Sequence, residues 1–252
     1  MKDLIDESSE DLTVYGYETT NLKKFGITCS KLFIETNAKA KKLGFDKGHY
    51  FILNTPLLSE FLEEHRVLLL KEIFARIDFL FKENKIKKSG KILFVGIGNP
   101  QIIADSFGVK TVEKIKIEPF KKSNKIFKIM PNTFSNTGIN AFEIIKVIVE
   151  VFDISAVFLF DSLATDSISR LGCSIQFNDA GLTPGSAMNN FGMPINKAAL
   201  NVPCFSIGVP MMISAESLNC QKDIILTEKD VKEKVEFLSD VVAEVIDKVM
   251  AQ

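Results

Sequence analysis

The sequence predicts an α/β fold, a sheet covered by helices, and three observations carry that expectation. Two continuous apolar runs, ILFVGI (92–97) and AVFLFD (156–161), have the composition of central parallel strands covered on both faces. Around them lie stretches with apolar residues at helical spacing, so strands and helices alternate along the chain. The 252 residues are 46% hydrophobic and 25% charged, ordinary values for a chain that buries a sizeable core.

The elements follow in order. Residues 1 to 55 read as an irregular start in which KLFIET (31–36) and HYFIL (49–53) are strands, rich in β-formers and bounded by turn residues. From Pro56 a long helix is expected, with apolar residues at Leu58, Phe61, Leu62, Leu69, Ile73, Ile77 and Leu80. Pro56 suits its first turn, and lysines with Gly90 close it. After strand 92–97 the pattern predicts a helix from Asp105 to Lys116, an extended IFKIM (126–130), an amphipathic helix over 139–152, and strand 156–161 ending in an acid. CSIQF (173–177) and CFSIGV (204–209) are further strands. A C-terminal helix follows, with Thr227 and Asp230 spaced like a capping box. One domain over 1–252 is expected, residues 1–90 supplying strands and the long helix and 91–252 the functional core.

Composition excludes several classes of function. The net charge of −1 argues against a nucleic-acid partner, although seven lysines (110, 114, 116, 121, 122, 125, 128) crowd one stretch. That stretch reads as a solvated face. The acidic N-terminus is no secretory signal and no apolar run is long enough to span a bilayer, so a cytoplasmic protein without a membrane partner is expected. Four scattered cysteines, with no CxxC pair, fit a reducing compartment and offer no metal-ligand spacing. The two histidines are His49 and His65, the second expected as an ordinary helix residue. With none beyond 65, neither a serine hydrolase at Ser106, Ser162 or Ser186 nor a peptidyl-tRNA hydrolase on the VGIGNP turn has its base. The same turn lacks the third glycine of a dinucleotide fingerprint, since Gln101 stands there.

What survives is a pair of acids. Ligands of open α/β sheets sit beyond the carboxyl ends of strands. Asp105 follows one such end and Asp161 closes another. Two neighbouring carboxylates resist ionising together, so one keeps its proton while the other acts as base, which suits peptide hydrolysis. Aspartates at strand ends also serve as caps and turn formers. The glycine-rich NDAGLTPGSAMNN (178–190) is either a binding rim or a structural loop.

Four motifs in one order, VGIGN…ADSFGVK, PNTFSNTGIN, FDSLATDSISRLGCSIQFNDAGLTPGS and PCFSIGVPMM, resemble the germination proteases, endopeptidases of spore-forming bacteria. The likeness covers about residues 90 to 215 and extends weakly through DKGHYFILNTP. It implies a phosphorylase/hydrolase-like three-layer sandwich with a mostly parallel sheet. It also implies an aspartic-type endopeptidase acting on small acid-soluble spore proteins in the spore core; no cofactor and no metal site is expected. The family is made as a zymogen that loses a short N-terminal segment, and is tetrameric. Asp105 and Asp161 match its two proposed catalytic aspartates. Supporting positions carried over are Gly98, Asn99, Lys110, Thr137, Gly138, Arg170, Asp179, Gly181, Pro184, Gly185 and Ser186. The two cations, Lys110 and Arg170, are expected to bias the carboxyls or anchor the turn. Thr183, Asp166, Ala104 and Asn140 depart from the family pattern. The aspartate turn also resembles the hydrogenase maturation proteases, which recognise nickel with a histidine as well. A non-catalytic binding scaffold is the remaining alternative.

Overall fold

The computed structural model describes residues 3–8, 10–22, 25–56, 63–87, 90–117, 125–185, 192–220 and 224–251. Among them nine strands form one sheet. They are β1 (Glu18–Asn21), β2 (Thr28–Ile34), β3 (Gly48–Asn54), β4 (Ile92–Gly96), β5 (Ile126–Ile129), β6 (Ala156–Thr165), β7 (Ser174–Asn178), β8 (Cys204–Ser214) and β9 (Ile225–Leu226). Among the same residues, seven helices accompany them: α1 (Asn37–Leu43), α2 (Glu63–Glu83), α3 (Phe107–Lys114), α4 (Phe134–Thr137), α5 (Ala141–Phe152), α6 (Lys197–Leu200) and α7 (Val231–Ala251).

The strand order is β1-β2-β3-β7-β8-β6-β4-β5, with β9 pairing the far end of β8. The strands β5, β4, β6 and β8 run parallel, while β1, β2, β3, β7 and β9 join by antiparallel pairings. The expectation of a mostly parallel sheet therefore holds for the block of apolar strands and not for the other half. Parallel neighbours need a crossover. The chain supplies one with α3 between β4 and β5 and another with α5 between β5 and β6.

Alternation along the strands sorts side chains to the two faces. Ile92, Phe94, Phe158, Phe160, Phe205 and Ile207 pack under α2, α3 and α7. Leu93, Val95, Val157 and Leu159 pack under α5, against Phe142, Ile145 and Val149. The first layer has an aromatic centre: Phe158 lies 4.6 Å from Phe205 and 5.3 Å from Phe81, centroid to centroid. Each such pair contributes about 0.5–1.5 kcal/mol beyond its buried area. A third cluster, of Leu32, Ile34, Tyr50, Ile52 and Leu43, joins β2, β3 and α1 to Ile5 and Leu12 of the N-terminal stretch.

Several expected boundaries move. The long helix is described from Glu63, and its expected first turns over 57–62 lie outside the described residues. Asp105 closes a short 3-10 turn (Ile103–Asp105), and α3 begins only at Phe107. The larger correction concerns Asp161, which does not end its strand. β6 continues to Thr165 because β8 also continues, pairing Asp161 with Gly208 and Thr165 with Ile213 across a register shift after Leu163. The polar DSLAT has the composition of a loop, but a long neighbour supplies the ladder partners it needs. The capping box also fails: Thr227 donates its hydroxyl to the Met211 carbonyl instead, at 2.7 Å.

Candidate active site

β4 stops at Gly96 while β6 runs on, and the loop 97–106 fills the space beside the extended strand. Its entry is fixed by Ile97, whose N–H donates to the Phe160 carbonyl at 2.8 Å. Its exit is fixed by the start of α3, where the Phe107 N–H donates to Ser162 Oγ at 3.3 Å. Helix and strand come this close only because residue 108 is glycine: a Cβ there would lie 2.1 Å from the Phe160 carbonyl oxygen. Gly108 thus serves close contact of the helix with β6, and a Cβ on Gly96 would likewise meet the Gly108 carbonyl oxygen at 2.6 Å.

Inside the loop, Gly98 adopts φ +120°, and a Cβ on it would meet the Asp105 carbonyl oxygen at 2.0 Å. Asn99 donates its N–H to Asp105 Oδ2 at 2.8 Å and accepts from the Gln101 N–H at 3.0 Å. The Gly-Asn pair therefore folds the turn back onto the Asp105 carboxyl and orients it. Burial raises that carboxyl, the Asn99 N–H pulls it partly back, and it settles at about 6. Asp161 is buried on β6. Burial raises it well above the ordinary carboxylate range, the charges of Asp105 and Asp3 raise it further, and the Ser162 N–H opposes them. Two neighbouring acids cannot both ionise cheaply, and no cation among the described residues is a cause of either shift.

Asp161 faces a cavity of about 590 Å³, opposite the α2–α3–α7 side. Asp3, Tyr50, Gln176, Asn178 and Thr183 also line it. In the ladder, Asp161 and Gln176 are both register partners of Gly208, one on each side. No cluster of His, Cys, Asp and Glu suited to a metal ion occurs among the described residues.

The remaining expected positions divide. Gly181 lines the cavity, where the Asn178 side chain accepts from the Ala180 and Gly181 N–H groups at 3.0 Å each. Pro184 and Gly185 continue that loop, and Ser186 lies outside the described residues. Asp179 turns away: its carboxylate accepts from the His49 N–H at 2.6 Å and from Asn84 Nδ2 at 2.7 Å, with His49 Nδ1 at 3.1 Å. The strand's alternation puts Asn178, one position earlier, on the cavity face. Thr137 and Gly138 close the exposed helix α4, Gly138 in the left-handed region at φ +69°. Lys110 pairs with Glu236 of α7 at 2.8 Å. Arg170 pairs with Asp6 and donates to Asn54 Oδ1 at 3.2 Å. Both cations anchor packing, and neither is among the groups that shift Asp105 or Asp161.

The expectations did not include Gln176 and Asn178, hidden in a strand whose apolar residues dominate its pattern, or the N-terminal stretch. Asp3 Oδ2 accepts from the Ala164 N–H at 2.9 Å, Glu7 accepts from the Thr165 hydroxyl, and its second oxygen accepts from the Asp166 N–H at 3.1 Å. These residues lie along the tail of β6, immediately beyond Asp161.

A profile of the germination proteases matches residues 2–228. The chain belongs to the germination protease family. It is 31% identical over 200 residues to the germination protease of Geobacillus sp. (strain WCH70), covering 73% of this chain and 52% of that protein. To the germination protease of Clostridium tetani (strain Massachusetts / E88) it is 29% identical over 224 residues, covering 84% of this chain and 68% of that one. The chain thus spans about half the length of the first of these relatives. A [NiFe] hydrogenase maturation protease from Thermococcus kodakarensis KOD1 is 20% identical, with a TM-score of 0.38 over 62% of this chain and 92% of that one. A likeness of that size carries no argument about the site.

Proposed function

We propose that the chain is an endopeptidase of the aspartic type in which Asp105 and Asp161 share one proton. The observation that carries the reading is a pair of electrostatically coupled carboxyls, both raised by burial and unpaired with any cation among the described residues, where one faces a large cavity. Asp105, only part-buried and hydrogen-bonded by the Asn99 N–H, is the base. Its carboxylate takes a proton from water as the water oxygen attacks the peptide carbonyl. Asp161, whose protonated form is favoured by its burial and by the Asp105 charge, is the acid and gives its proton to the leaving nitrogen as the C–N bond breaks. Proton exchange with solvent then restores Asp105 to the ionised and Asp161 to the protonated form. On this scheme the rate rises as pH passes through about 6, where Asp105 ionises, and falls where Asp161 loses its proton.

The substrates in this reading are the small acid-soluble spore proteins, by membership of the family, and the compartment is the spore core. A zymogen fits as well. The residues from Asp3 to Glu7 are bonded to Ala164, Thr165, Asp166, Arg170 and Gln176, just beyond Asp161, and Asp3 and Gln176 line the cavity that Asp161 faces. Chain held there excludes substrate, so its departure accompanies activation.

Digestion of a purified small acid-soluble spore protein, followed by mass spectrometry, tests the reading. Discrete fragments from the wild type, absent with Asp105→Asn and with Asp161→Asn, are expected. An intact substrate in all three samples, even after the N-terminal stretch has been cut, would leave the binding-scaffold alternative.

A further inference from the structure

Gln176 is a buried amide in the middle of β7. Its Nε2 donates to the Asp3 carbonyl at 3.0 Å, and its Oε1 accepts from the Ile5 N–H at 2.9 Å. These two main-chain groups flank Leu4, which is extended at φ −91°, ψ 131° and fully buried. In an extended chain the carbonyl of one residue and the N–H two residues later point to the same side. One side-chain amide satisfies both, as a neighbouring strand would. The required polarity, donor to carbonyl and acceptor to N–H, also fixes which way the amide is turned.

The bonds use only backbone atoms of residues 3 and 5, so they would hold any extended peptide with an apolar side chain at the middle position. Their location is that of the proposed chemistry. Gln176 and Asp161 stand on either side of Gly208 in the ladder, two strand spacings or roughly 10 Å apart. Both line the same cavity. A chain held by Gln176 reaches the Asp161 carboxyl within a few residues, at roughly 3.5 Å each. Asp3, one end of the held segment, is close enough for its charge to be felt at Asp161.

Building on the peptidase reading above, we infer that Gln176 is a main-chain clamp of the substrate site, and that the segment Asp3–Ile5 occupies it as a stand-in for an extended peptide. Gln176 is a positioning residue: it holds the chain across the cavity while the carboxyls act.

The test uses the full chain carrying Leu4→Ala, which loosens its own segment. The probe is a fluorescein-labelled decapeptide of residues 1–10, MKDLIDESSE, followed by fluorescence anisotropy. Saturable binding is expected. Gln176→Met, which keeps the side chain's length and removes the amide, should raise Kd tenfold or more. A probe N-methylated at its Ile5 nitrogen should lose as much on the chain with Gln176 intact, and less than twofold more once Gln176→Met is present. In cleavage of a spore protein, Gln176→Met should raise KM about tenfold with kcat within threefold. Absence of saturable binding, or equal affinity for parent and N-methylated probes, overturns the clamp. The N-methylated probe separates these outcomes even if Gln176→Met misfolds. Binding that follows these expectations in a wild type that cleaves nothing would keep the clamp and sink the peptidase reading.

Discussion

Asp161, on β6, and Asp179, just beyond β7 of the same sheet, are both buried or nearly so, and their environments lead in opposite directions. Around Asp161 and its neighbour Asp105, burial raises both carboxyls, the Asp105 charge raises Asp161 further, and no cation among the described residues compensates. Around Asp179 burial also pushes upward, but hydrogen bonds from the His49 ring, Asn84 and the His49 N–H outweigh it, and the carboxyl stays below its ordinary value. His49 is itself locked, stacked on Phe33 at 4.3 Å between centroids and edge-on to Phe79 at 5.3 Å. The contrast separates an acid whose protonated form the fold favours from one whose ionised form serves as a fixed bracket. Asp179 ties β3, the end of α2 and the loop after β7 together, and it leaves the cavity wall to Asn178.

The largest effect that would break this contrast belongs to the coupled pair. Asp105→Asn or Asp161→Asn should lower kcat/KM for a spore-protein substrate about a thousand-fold or more, within the range of general acid–base contributions. Asp179→Asn should leave kcat within threefold. A loss at Asp179 comparable to that at Asp161 would show that the bracket takes part in the chemistry. Next in size is Gly98→Ala. It should cost about a hundred-fold in kcat through displacement of the Asp105 carboxyl, since misplacements near 1 Å carry losses of that order.

Stability separates the two acids by sign. Asp179→Ala leaves the Asn84 amide and the His49 N–H without their acceptor and should cost about 1–3 kcal/mol in urea unfolding. The Asp179 contribution is present above the unfolded carboxylate value near 3.8 and disappears as pH falls through its lower folded value. Asp105 behaves in reverse. Its protonated form is favoured in the fold, so its contribution is full below 3.8 and is lost as pH rises through about 6. Asp161→Asn removes the need to bury a charge, so it should raise Tm at pH 8 relative to the wild type by about 2–4 °C for each ~1 kcal/mol relieved. That advantage should shrink toward pH 4. An advantage independent of pH would mean that Asp161 does not carry a raised proton affinity. The smallest effect is expected at Lys110: Lys110→Met loosens the α3–α7 contact by about 0–1 kcal/mol and leaves the pH–rate profile unmoved.

The comparison also marks how far the site is legible without the structure. Asp105 and Asp161 stand out because each adjoins a continuous apolar run, and such runs identify buried strands without knowledge of their neighbours. Asp179 shares NDAG with residues that do face the cavity, so the sequence groups it with the binding loop; one step of strand alternation separates Asn178 from it. Only family resemblance links Lys110 and Arg170 to the carboxyls. Their partners, Glu236 and Asp6, lie far away in the chain, and only packing brings them together.

Local chemistry was enough to determine the alternation of strands and helices, the apolar parallel block and the two acids beside it. Each depends on residues within one element or one turn, where spacing and side-chain type act directly. Tertiary structure alone decided that β6 runs on past Asp161, that the sheet has an antiparallel half, and that the cavity is shared by β6, β7 and β8. It alone placed the N-terminal residues on Gln176, 171 positions away from Ile5. A ladder partner, a neighbouring charge or a clamp bond is a relation between distant segments, and its free energy exists only once the fold has brought them within a few ångströms.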